Sequence, residues 1–243
     1  MGSLFLIALF VLATLSGATA AVAGFGIGSL LTPVLASRLG TPIAIAAVAL
    51  PHAAATALRF WRLRAEVDWS VIRSFGLLSA LGGLAGGLLY ARLSGRALTL
   101  VLGLLLLTTA VAGLTGWMTR WHAGGRVTPI LGLLSGFFGG IAGNQGGLRA
   151  AAMLGFSLTP AAYVATSTAI GLLVDAARAP IYVWRAGPAL TALALPIGIA
   201  TVGVLVGTLL GERLLLGLSA ERFRRGVSVL IGILGVWLLA STG

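Results

Sequence analysis

The sequence predicts an all-α polytopic membrane protein of about eight transmembrane helices, in two tandem four-span repeats with a Gly-rich break after the first span of each. Three observations predict it. Of 243 residues, 58% are hydrophobic and 9% charged, with a mean hydropathy of +1.08, whereas a soluble domain carries about 25% charged residues. Apolar runs close to the roughly 20 residues that cross a bilayer core recur between short polar connections. Landmarks of the first half also return in the same order in the second.

The first span is expected near 3–23. It resembles a signal peptide in ending on Ala18-Thr19-Ala20, but no positive charge precedes it and the same pattern recurs in mid-chain, so it is retained as a span. Spans near 41–61, 71–91 and 97–118 follow, the last two separated by Arg92 and Arg96. Arg120, His122 and Arg126 mark the midpoint between repeats 1–122 and 123–243. The second repeat is expected to span near 127–147, 159–183, 188–210 and 224–242, with residues 213–225 between its last two spans. Trp61, Trp69, Trp117, Trp121 and Trp184 fall at the expected span ends, as an interfacial aromatic belt requires.

The repeat rests on three matches. Leu15-Ser16-Gly17 and Ala23-Gly24 return as Leu134-Ser135-Gly136 and Ala142-Gly143 at an offset of 119. Thr41-Pro42 returns as Thr159-Pro160 at 118, and Gly86, Leu88-Leu89 and Arg92-Leu93 return as Gly207, Leu209-Leu210 and Arg213-Leu214 at 121. Four full spans is an even number, so the copies are expected to share one orientation about an axis along the membrane normal. A re-entrant hairpin at the start of each copy would change that conclusion.

All 16 basic residues are Arg, opposed by five acids, Glu66, Asp68, Asp175, Glu212 and Glu221, for a formal charge of +11. In a soluble protein that excess would suggest nucleic acid. Here the arginines sit mostly singly between apolar runs and read as charge at the membrane surface. Loops after odd-numbered and even-numbered expected spans hold eight arginines each, so the positive-inside rule assigns no orientation. The absence of Cys excludes disulfides and thiolate chemistry. Two His and five acids assemble no evident metal site or nucleophile triad, and neither His has an acidic sequence neighbour, so no enzyme activity and no cofactor are expected.

Chemistry is expected at the breaks. Gly24, Gly26 and Gly28 interrupt the first half, and Gly143, Asn144, Gln145, Gly146 and Arg149 interrupt the second. Non-helical backbone at membrane depth is tolerated where protein buries it or where it lines a cavity, and paired breaks in two halves point to a transporter's binding site. Glycines let backbone N–H groups approach an anion, and short helices over residues 29–36 and 149–155 would aim positive dipole ends at it. The plainer reading is close helix packing through small residues.

A second polar set lies on the following spans. His52, Thr56 and Arg59 form one helical stripe at i, i+4 and i+7. Thr166, Ser167 and Thr168 sit early in the matching span of the second half, and Asp175 and Arg178 late in it. Charges within spans read as functional by default. Their structural alternatives are a self-neutralising Asp175–Arg178 pair, Arg59 snorkelling to the interface beside Arg62 and Arg64, and His52 as a packing residue.

These residues resemble the sulfite exporter TauE/SafE family of small duplicated anion permeases. The resemblance is carried by the first Gly-rich break, Thr41-Pro42 before an Ala-rich helix, residues 143–149, Ala165-Thr166, and Val174-Asp175-Ala176-Ala177-Arg178. It implies transport of sulfite, sulfonates or related sulfur oxyanions across the bacterial inner membrane without ATP. Expected partners are a small anion and the lipid bilayer, with a homodimer allowed and nucleic acid excluded. The rival functions are a non-transporting membrane scaffold or assembly factor and a membrane-embedded lipid enzyme. The second would draw on Glu212 and Glu221.

Overall fold

The computed structural model describes residues 2–116, 127–144, 146–153, 155–214 and 220–241, and among these all regular structure is helical. The first half contains α1 (Ser3–Ala23), α2 (Ile27–Leu39), α3 (Thr41–Leu63), α4 (Trp69–Tyr90) and α5 (Gly95–Thr115). The second contains α6 (Val127–Ala142), α7 (Gly146–Met153), α8 (Pro160–Ala192), α9 (Ala194–Leu214) and α10 (Ala220–Ala240). Within α4, Ile72–Gly76 forms a π-turn. Arg120, His122, Arg126, Trp117, Trp121, Gln145 and the side chains of Glu212 and Glu221 lie outside the described residues.

Local chemistry sets the helix boundaries. Gly24 ends α1 at φ 75°, with its N–H donating to Ala20 O at 3.0 Å. Pro160 opens α8 behind Thr159, whose hydroxyl accepts from Ala162 N at 3.2 Å. The matching Thr41 caps nothing; its hydroxyl instead lies 2.6 Å from Thr99 Oγ1 on α5. Asp68 caps α4 by accepting from the hydroxyl of Ser70 and from Ser70 N and Val71 N. Those bonds hold its carboxyl below the usual carboxylate range.

Among the described residues, six helical runs are long and apolar enough to cross a bilayer, those of α1, α3, α4, α5, α8 and α9. The six leave out the expected fifth and eighth spans, the latter described as the shorter apolar helix Arg225–Ala240, and one expected boundary moves. The expected fifth span is the shorter α6, because the Gly143 break ends it at Ala142. The expected gap between the sixth and seventh spans closes, since α8 runs through Pro180 and Pro188 for 33 residues. Trp184 therefore lies inside a helix, although like Trp61 and Trp69 it is exposed.

The breaks also reverse the chain. Helix α2 turns back along α1, placing the Arg38 guanidinium 5.4 Å from the Phe5 ring centre. Helix α7 turns back from α6, so that Met153 joins Phe75 in one apolar cluster while Gly132, early in α6, lies against the same Phe75. Each half thus begins with a helical hairpin.

Glycines bring the helices of the two halves together. In α1 and α9, Gly203 meets Phe10, Gly207 meets Thr14 and Gly211 meets Ala18, so the two run parallel. In α4 and α6, Gly132 meets Phe75, Gly136 meets Ser79 and Gly140 meets Gly83, again parallel. A Cβ at most of these glycines would strike the facing backbone. Helices α3 and α8 cross the other way, with Arg59 bonded to Thr168 and His52 against Asp175. Helices α5 and α10 are likewise antiparallel, Gly103 meeting Leu239 and Gly113 meeting Ser228.

The helices matched by the sequence offsets are therefore antiparallel, contrary to the shared orientation expected from four spans per copy. A hairpin that returns the chain towards its starting side leaves three helices to cross after it. Three is odd, so the next half begins from the opposite side.

Candidate functional site

The two hairpin tips meet. Gly24, Gly26 and Gly143 hold φ values of 75°, 135° and 70°, conformations that only glycine adopts freely. Gly28 packs on the carbonyl of Gly143 with no room for a Cβ, and Gly146 lies against Phe25. Gly24, Gly26 and Gly28 of the first tip and Gly143, Asn144 and Gly146 of the second line one pocket. Helices α2 and α7 both begin there, so the positive ends of two helix dipoles converge on it.

Side chains from α3, α7 and α8 complete the surroundings. Arg149 is 3% exposed and donates through Nε to Ser167 Oγ at 2.9 Å. Arg59 donates through Nη1 to Ala20 O and through Nη2 to Thr168 Oγ1 at 3.2 Å. Asn144 accepts from Ser29 Oγ at 3.2 Å. Thr56 donates to His52 O at 2.7 Å, and His52 Nδ1 lies 2.6 Å from Asp175 Oδ2. The other oxygen of Asp175 accepts from Arg178 Nε at 3.0 Å and Nη2 at 2.6 Å, while Arg178 Nη1 donates to Gly139 O at 2.6 Å.

Charge and hydrogen bonding are both left unbalanced. Three arginines, Arg59, Arg149 and Arg178, face one acid, Asp175, which leaves two positive charges before any proton on His52 is counted. Among the described residues, the buried side-chain N–H groups without a partner are Arg59 Nε, Arg149 Nη1 and Asn144 Nδ2, and all three residues line this pocket. The remaining orphans are hydroxyls, of Thr208 and Ser228, whose helices pack against Gly17 and Gly113 respectively. An unmet buried N–H costs about 1–3 kcal/mol and more when charged. Positive charge with spare donors suits an anion that carries several acceptor oxygens.

Most of the residues singled out in the sequence converge here, but not in one role. Ser167 and Thr168 hold the two arginines from behind. Thr166 lies apart, accepting from Asp68 N at 2.9 Å near the start of α4. Arg59 turns inward instead of snorkelling. Asp175 and Arg178 do form the local pair, and His52 joins it from 123 residues away, giving that histidine the acid its sequence neighbours lack. Ser29 and Phe25 also reach the pocket. Position in the first turn after a break is the signal that could have marked Ser29.

A family model described as sulfite exporter TauE/SafE matches residues 9–238, nearly the whole chain. No curated protein and no solved structure matches it.

Proposed function

The chain belongs to the sulfite exporter TauE/SafE family, and on that premise we propose that it is a secondary transporter that carries a sulfur oxyanion, sulfite or a sulfonate, across the bacterial inner membrane through the pocket between the hairpin tips. The observation that carries this reading is the set of three unpartnered buried N–H donors, on Arg59, Arg149 and Asn144, in a pocket with two uncompensated positive charges. A charge within the membrane interior is costly unless it is paired. A divalent or monovalent oxyanion supplies both the countercharge and the acceptors.

Alternating access follows from the architecture proposed for the two halves. Reciprocal packing, α1 on α9 and α6 on α4, supports a duplication whose copies are related by an axis in the membrane plane. In such a pair each hairpin guards one side of the central site, and rocking one half against the other exposes the pocket to alternate faces. Because α2 and α7 begin at the pocket, a moving hairpin carries its own N–H groups with it.

The test is sulfite flux into proteoliposomes. Arg149→Ala and Asn144→Ala should each lower it at least about tenfold, the effect of losing a hydrogen bond to a charged ligand worth roughly 1.5–3 kcal/mol. Wild-type flux in both variants would rule this site out.

A further inference from the structure

We propose that the transported anion is held beside Arg59 as the image, under the internal repeat, of the Asp175 carboxylate beside Arg178. This rests on the anion-transport reading and adds where the anion sits and what it replaces.

Two residue pairs share an offset of 119, one more than Thr41-Pro42 and Thr159-Pro160 show at the start of α3 and α8, and their equivalence is set by the bonds they make. Arg59 and Arg178 are 119 apart, as are Ala20 and Gly139. Arg59 Nη1 donates to the carbonyl of Ala20, and Arg178 Nη1 to that of Gly139. Each arginine therefore ties down the last turn of its own half's first helix, in both cases through Nη1 to a backbone carbonyl.

The remaining edge of the two guanidiniums differs. Arg178 presents Nε and Nη2 to Asp175, three residues before it. The residue three before Arg59 is Thr56, again 119 from Asp175. Arg59 Nε has no partner, its Nη2 meets only the Thr168 hydroxyl at 3.2 Å, and Thr56 lines the pocket. A carboxylate found in one half is thus absent from the other.

The second contact of Asp175 has an image as well. Its outer oxygen meets His52, whose counterpart at 119 is Gly171. Gly171 leaves room that Arg149 occupies: the point where a Cβ would stand is 3.1 Å from Arg149 Nη1 and 3.5 Å from Thr56 Cγ2. Among the described residues, Arg149 Nη1 is the other buried guanidinium N–H without a partner. Asp175 takes Arg178 and His52, and the anion takes Arg59 and Arg149. The lost carboxylate is what makes the site able to accept and release an anion.

The experiment replaces the anion covalently. In Thr56→Asp the new carboxylate should occupy the subsite, with Thr56→Asn as the uncharged control of equal size. Sulfite at about 100 times its Kd should raise the wild-type Tm in detergent by roughly 5–10 °C. Thr56→Asp should unfold several degrees above Thr56→Asn without ligand, should show no further rise with sulfite, and should lose that advantage when Arg59→Gln is added. Thr56→Asn, whose amide fills the same space without the charge, should respond to sulfite less than wild type does. A Thr56→Asp protein no more stable than Thr56→Asn, one that fails to fold, or one that still rises with sulfite overturns the proposal. If wild type shows neither sulfite flux nor a sulfite-dependent Tm while Thr56→Asp is still stabilised through Arg59, the substrate reading fails and the subsite stands.

Discussion

At the first hairpin tip the chain reads Gly-Phe-Gly-Ile-Gly, with no side chain able to hydrogen-bond, whereas the second brings Asn144 and Arg149 to the same pocket. The first half compensates from α3, which supplies His52 and Arg59, and from Ser29 at the start of α2. Both halves keep an arginine that clamps their own hairpin, yet one clamp is neutralised by Asp175 and the other faces Thr56. The difference separates two tasks. On the proposed reading the second half carries a charge whose paired acid fixes structure, and the first carries one without an acid that meets the ligand.

That contrast can be broken most directly at the two positions themselves. Asp175→Asn leaves Arg178 buried beside a neutral amide and should cost about 3–5 kcal/mol of stability. Thr56→Val removes the bond to His52 O and the longer contact with His52 Nδ1 at 3.4 Å, and should cost about 1 kcal/mol. Equal losses in thermal unfolding would remove the distinction. The arginines sharpen it: Arg178→Gln should unfold earlier than Arg59→Gln, while Arg59→Gln should depress sulfite flux at least about tenfold. Measuring both quantities on both variants tests whether structure and binding are divided as stated.

Smaller effects probe the tips. Gly28→Ala drives a methyl into the Gly143 carbonyl and should cost about 1–3 kcal/mol, lowering flux with it. Gly24→Ala meets no atom within 4 Å but must hold φ 75°, for about 1–2 kcal/mol and a weaker effect on flux. Phe5→Leu, at the base of the first hairpin, gives up the contact with Arg38 and should lower stability by about 0.5–1 kcal/mol with flux retained. A large loss of flux from Phe5→Leu would mean that the hairpin base, not its tip, limits transport.

Much of the site was legible because in-span charges and glycine breaks are rare in an apolar chain and therefore conspicuous. His52, Arg59, Asn144, Arg149, Asp175 and Arg178 stand out on that ground, and they converge. Thr166 stands out equally and goes elsewhere, because a hydroxyl on a helix face does not announce which neighbour it will meet. The His52–Asp175 contact was illegible for the same reason: 123 residues separate its members, and only the antiparallel crossing of α3 and α8 closes that distance.

Composition and periodicity by themselves determined that the chain is helical and apolar enough to cross a membrane, where most of its helices begin, and which glycines interrupt them, since these depend on local backbone chemistry and hydropathy. The relative direction of the two halves was not local. Whether a glycine break is a gap between two spans or the tip of a hairpin depends on what packs beside it, and that choice changes the number of crossings from even to odd. Tertiary packing therefore decided that matched helices run antiparallel, that the two tips share one pocket, and that Arg59 and Arg178 each reach the carbonyl of a first helix.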